Sequence, residues 1–202
     1  PHEIESTKEN KKALTPAVFG YLYEKFTLPV FQMAKVDLDN FELDVRKNQF
    51  RVGNHKIGAF YTPQSVSEYI CKETIRAQLE HELAKRFGKD ITLHRLLKNT
   101  KKAPQNVEAL IFLWKRLDEI KICDNACGGG EFLLAAENIL VSLKKSVLNH
   151  LSTSNHPQYR GIKQSQGDYP VHRKIRNEIV SNNLYGVDIM EGAVETTQLR
   201  LM

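Results

Sequence analysis

Ile122-Cys123-Asp124-Asn125-Ala126-Cys127-Gly128-Gly129-Gly130-Glu131-Phe132-Leu133 runs from an apolar approach, through an aspartate and three glycines, straight into an amphipathic helix. A strand that passes through a tight glycine turn into a helix N-terminus is an α/β device. Gly128, Gly129 and Gly130 can each take positive φ and let a ligand come close to the backbone. The free N–H groups of the helix that follows favour an electronegative group. The stretch therefore points to a nucleotide-type cofactor, although the two commonest nucleotide motifs do not fit it. A dinucleotide turn needs a third glycine where Phe132 or Leu133 stands, and a phosphate loop needs lysine where Glu131 stands.

Working outward, Val107, Leu110, Ile111, Trp114 and Leu117 mark a helix that delivers the chain into a strand over Ile120 to Cys123. After the glycines, Phe132, Ala136, Ile139, Leu140, Leu143 and Val147 form the inward stripe of a long helix. Upstream, Cys71, Ile75, Leu79, Leu83 and Phe87 recur every four residues, with a capping-box spacing at Ser65 and Glu68 and a stop at Gly88. Lys98 to Gln105 reads as a linker, and His150 to Lys174 as a long polar loop. Just past that loop, His172, Arg173, Lys174 and Arg176 form a basic cluster, either a solvated helix start or a phosphate-backbone contact. Near the start, Thr15-Pro16 opens a helix with Val18, Phe19, Leu22, Tyr23 and Phe26 on one face, and residues 36–57 read as an extended arm or a short hairpin. The resulting division is a helical lead-in and arm over 1–57, a segment with one long helix over 58–105, and an α/β region over 106–202.

Composition narrows the class. A chain of 202 residues with 41% hydrophobic content can bury an ordinary core. No apolar run approaches the ~18 residues that span a membrane, and no secretory pattern opens the chain. Three cysteines, Cys71, Cys123 and Cys127, have neither disulfide nor metal spacing, so free thiols in a reducing, cytoplasmic compartment are expected, with Cys123 and Cys127 buried. The net charge of +5 permits a nucleic-acid surface without requiring one. No metal site is expected: Asp37, Asp39, Glu42 and Asp44 lack the glycine of a calcium loop, and His81-Glu82 lacks the second histidine of a zinc helix.

Three ordered segments carry a family resemblance. Asp124 to Leu133 resembles the Asp-Pro-Ala-Cys-Gly-Ser-Gly-x-Phe-Leu signature of the DNA adenine methyltransferases that use S-adenosylmethionine, departing from it at Asn125 and Gly129. Gly58-Ala59-Phe60-Tyr61-Thr62-Pro63 is similar to the family's Gly-x-Tyr/Phe-Tyr-Thr-Pro box. Asn183 to Ile189, continuing through Ala193-Val194 to Leu199-Arg200-Leu201, resembles the second strand and its following helix. Thr15-Pro16 to Phe26 looks like the helical lead-in of the large restriction-modification members.

The resemblance implies the first part of a Rossmann-like methyltransferase fold behind an N-terminal helical region, with DNA as partner of the intact protein. It implies a cofactor site of Phe60, Tyr61, Thr62, Asp124, Ala126, Cys127, Gly128, Gly130, Asp188 and Ile189. In that site Asp124 helps fix the methionine end, the glycine turn passes beneath the cofactor, and Asp188 takes the ribose hydroxyls. Ile189 packs on the adenine, and Phe60, Tyr61 and Thr62 close the methionine side. The family's catalytic Asn/Asp-Pro-Pro-Tyr/Phe motif occurs nowhere in the sequence. The expectation is an inactive piece of a larger enzyme, without catalytic residues of its own, whose truncated sheet edge could self-associate. The alternative is a non-catalytic scaffold that keeps the cofactor fold to bind DNA or a partner protein.

Overall fold

In the computed structural model, residues 62–98, 104–152 and 171–202 are described. The expected lead-in helix, the arm, Phe60 and Tyr61 lie outside them. The described residues are mostly helical around a small parallel sheet, in the order α1 (Gln64–Phe87), α2 (Leu93–Lys98), α3 (Pro104–Glu119), β1 (Ile122–Asp124), α4 (Glu131–Ser152), α5 (Val171–Asn182), β2 (Leu184–Gly186) and α6 (Glu191–Leu201). This arrangement is compatible with part of a methyltransferase fold.

Helix α1 buries Cys71, Ile75, Leu79 and Leu83, the stripe its periodicity predicts. Its start differs from the expected capping box. Pro63, at φ −56°, occupies the N-cap position and no side chain caps the helix. The proline ring already holds φ near the helical value, so the helix begins at once and Ser65 falls inside the first turn. Glu68 accepts instead from Gln64 Nε2 at 2.8 Å. Gly88 closes the helix by donating its N–H to the Ala84 carbonyl at 3.0 Å.

Helix α4 is the hub, packed against α1, α3 and α5. Leu133, Ala136, Leu140, Val147 and Leu151 along it are all buried. Trp114 is core, as its helical phase predicts, and its ring lies 5.1 Å from Lys144 Nζ. That lysine is only 1% exposed, yet it pairs with Asp118 and lies 3.7 Å from Glu178. A buried ammonium is tolerated when carboxylates and an aromatic face replace its water.

Several boundaries shift. Short helix α2, which buries Leu93 and Leu96, was too brief to show a period. The first strand is Ile122–Asp124 rather than 120–123, so Asp124 ends the strand itself. Helix α4 runs to Ser152 and α5 begins at Val171, which trims the expected loop at both ends. The basic cluster divides on α5: His172 and Arg173 are exposed, but Arg176 turns inward to Glu137 and to the carbonyls of Leu201 and Met202. Arg176 is thus a tether to the end of α6. A carboxylate only 4% exposed recruits the nearest guanidinium before solvent can.

Strands β1 and β2 pair in parallel, Ile122 with Leu184, Cys123 with Tyr185 and Asp124 with Gly186. A parallel pair needs a crossover, and α4 and α5 lie within it. Buried Asn183 sets the entry to β2, because its Nδ2 donates to the carbonyls of Leu117 and Ile120 at 3.0 and 2.7 Å. These bonds tie the end of α3, and the approach to β1, to the start of β2. The outer edge of β1 has no strand partner among the described residues. It lines an open cleft of about 670 Å³ shared with α1, where Ile70, Ile75 and Phe132 mix with Glu82, Arg116 and Lys121.

Candidate functional site

Both strands deliver a carboxylate to the same end of the sheet. Asp124 finishes β1, and its Oδ1 accepts the Ala126 N–H at 3.2 Å, folding the chain back immediately. The ladder then continues past the strands, with Val187 N–H donating to the Asp124 carbonyl at 2.9 Å and Cys127 N–H to the Val187 carbonyl at 3.0 Å. This lattice fixes the glycine turn to the end of β2.

Asp188 locks it. Its Oδ2 accepts the Gly128 N–H at 2.8 Å and its Oδ1 accepts the Met190 N–H at 2.9 Å. One carboxylate thus joins the glycine motif to the motif sixty residues downstream and starts helix α6. An ionised carboxylate has about four acceptor positions, so two are left for a ligand.

The glycines have different jobs. Gly128 has φ 51°, and nothing lies within 4 Å of where its Cβ would be, so that face of the turn is open. Gly130 has φ 81°, and its Cβ would stand 2.7 Å from Thr197 Cγ2. A side chain at Gly130 would therefore meet helix α6. The Gly130 N–H closes the turn on the Cys127 carbonyl at 2.7 Å.

Helix α6 holds the turn from beneath. Thr197 Oγ1 donates to the Gly128 carbonyl at 2.9 Å, while Arg200 donates to the Gly129 carbonyl and, at 2.7 Å, to Glu131 Oε2. Glu131 sits in the first turn of α4, where the helix dipole favours a carboxylate. Thr197, Arg200 and Glu131 escaped the sequence reading as support for the turn. Their only signal is that Ala193, Thr197 and Arg200 share the inward face of α6, a face with too little apolar character to mark itself.

Of the anticipated site residues, Asp124, Ala126, Cys127, Gly128, Gly130, Asp188 and Ile189 gather at these strand ends. Thr62 lies two residues before α1, apart from the hydrogen-bonded turn. Ile189 is 91% exposed, an isoleucine left in solvent just past the end of β2. Burial, chiefly, pushes the Cys127 thiol above its ordinary pKa, with Asp188 and Asp124 adding to the rise against a bond to Thr197. Burial and Asp124 likewise raise Cys71. Both thiols stay neutral near pH 7, whereas Cys123, expected to be buried like Cys127, is exposed on its three-residue strand. Maleimide at pH 7.5 should therefore label Cys123 at least ~10-fold faster than the other two in the folded chain, since the thiolate is the nucleophile. Peptide mapping by mass spectrometry would reveal this, and equal native rates at all three would contradict the burial described. No group of His, Cys, Asp and Glu among the described residues could hold a metal ion. None of their helices is long and apolar enough to cross a membrane.

Comparison with known proteins gives the chain a family. Residues 99–202 match the family model described as MmeI, DNA-methyltransferase domain. The chain is also 31% identical, over 205 residues, to a Methanocaldococcus jannaschii protein named as a type II restriction enzyme and methyltransferase. That alignment takes in 97% of this chain and 14% of the relative, so the chain spans about one-seventh of the relative's length. No solved structure matches the chain.

Proposed function

The chain belongs to the MmeI DNA-methyltransferase domain family, and on that premise we propose that it forms the cofactor-binding part of a Rossmann-like DNA adenine methyltransferase in a restriction-modification protein. The observation that carries this reading is the grip of Asp188 on the Gly128 N–H, which brings the two resemblance motifs together at one end of a parallel sheet. Strand ends of this kind are where open α/β sheets bind ligands.

The residues present suit S-adenosylmethionine. Asp188 keeps acceptor capacity for ribose hydroxyls, and the empty space beside Gly128 leaves room for the ligand against the backbone. Exposed Ile189 offers an apolar surface to a base. Asp124, Ala126 and Cys127 stand at the strand ends, where the methionine end would lie. When bound, S-adenosylmethionine supplies the activated methyl group. This chain's own part is to bind and orient it, while a further part of the polypeptide presents the adenine amine. The unpaired edge of β1 suits a further strand, from that remainder or from a second copy.

The test is direct. Calorimetry on the intact protein should detect S-adenosylmethionine binding. Incubation with DNA and methyl-labelled cofactor, followed by nucleoside analysis, should place label on the N6 position of adenine. Label on cytosine would overturn adenine specificity. Cofactor binding without transfer to any DNA would favour the scaffold alternative, and no binding would remove the cofactor reading.

A further inference from the structure

We propose that Thr197 and Arg200, on α6, are positioning residues that set which way the peptides of the glycine turn face, and so determine affinity for the cofactor. The proposal rests on the cofactor reading of the turn given above.

A glycine-glycine peptide is a poor orienting device by itself. Without Cβ atoms on either side, its plane can rotate by about half a turn at little cost, since glycine accepts both signs of φ. Here two peptides in succession have that freedom, Gly128 to Gly129 and Gly129 to Gly130. Both are fixed from outside. Thr197 Oγ1 takes the Gly128 carbonyl at 2.9 Å, and Arg200 takes the Gly129 carbonyl. The two side chains are 5% and 4% exposed, so the bonds are sheltered from competing water.

The peptide unit is planar and trans, so its C=O and N–H point in opposite directions. With the Gly128 carbonyl drawn down to α6, the Gly129 N–H must face away from α6. It has no protein partner among the described residues, although the N–H groups of Cys127, Gly128 and Gly130 on either side all have one. The open space at Gly128 adjoins this donor. The Gly129 N–H is therefore a free donor presented to a ligand. Arg200 acts on the next peptide, where a downward Gly129 carbonyl lets the Gly130 N–H close on Cys127 at 2.7 Å. Were the first peptide reversed, a carbonyl oxygen would face the ligand and repel an electronegative group. Neither Thr197 nor Arg200 touches the open face, so both act through the backbone.

Thr197→Val keeps the shape and removes the hydroxyl, while Thr197→Ser keeps the hydroxyl. In the intact protein, the valine variant should bind S-adenosylmethionine about 10-fold more weakly, as expected for a lost hydrogen bond to a buried group. The serine variant should stay within about twofold of the parent. DNA affinity and kcat at saturating cofactor should be unchanged in both, which a general loss of structure would not allow. Thr197→Ala provides the same comparison if the valine variant does not fold. A parent that binds cofactor and a valine variant that binds it equally well would overturn the proposal and leave the cofactor reading intact. Parallel losses of cofactor and DNA affinity, or failure of serine to restore binding, would reduce Thr197 to a packing role. A parent that does not bind S-adenosylmethionine would remove both the proposal and the reading beneath it.

Discussion

Asp188→Ala is expected to lower affinity for S-adenosylmethionine by about 100-fold, a loss that two charge-assisted hydrogen bonds of roughly 1.5 kcal/mol each can supply. The carboxylate has two duties in the proposed site. It holds the Gly128 and Met190 N–H groups at 2.8 and 2.9 Å, and its remaining acceptor positions are left for the proposed ribose. Alanine removes both, so the turn loosens at the moment the ligand loses its partner. Asp188→Asn separates the duties, because an amide keeps one acceptor oxygen for the backbone but cannot accept on both sides. It should bind cofactor more weakly than the parent and better than the alanine variant. Isothermal calorimetry on the intact protein makes the comparison. Parent-like affinity in the alanine variant would rule out the ribose contact.

Gly130→Ala is expected to cost about 2–5 kcal/mol of folding stability. Two penalties combine. A φ of 81° costs an L-residue about 1–2 kcal/mol, and forcing a methyl against Thr197, where the gap is 2.7 Å, adds about 1–3 kcal/mol. Gly128→Ala is the matched control. At φ 51° with nothing within 4 Å, it carries the backbone penalty without the collision. Urea unfolding should therefore rank Gly130→Ala clearly below Gly128→Ala in stability, while cofactor binding should suffer in both. Combining Gly130→Ala with Thr197→Ala should recover the collision part and leave the backbone part, a coupling that a double-mutant cycle measures. Equal stability of the two glycine variants would mean that α6 does not press on the turn.

Much of this architecture is legible in the chain because its signals are local. The stripe from Cys71 to Leu83 repeats at the helical period, so α1 follows from hydrophobic burial on one face. The same holds for α3 and α4. Asp124 ahead of three glycines marks a strand-to-helix turn, since few other residues tolerate the φ values found there. Asp188 stood out through its motif, although its hydrogen bond to the Gly128 N–H, sixty residues away, did not. Other features depend on groups distant in sequence. Arg176 looked like one more base in a polar cluster until Glu137, 39 positions away, placed a buried carboxylate beside it. Gly130 looked like part of a ligand cradle, but its missing side chain makes room for Thr197, which belongs to a helix whose amphipathic signal is weak. Hydrophobic period and glycine stereochemistry act within a few residues and are written in order along the chain. The orientation of a peptide plane, or the partner of a buried charge, depends on which elements meet, and folding alone brings Thr197 and Arg200 under the glycines.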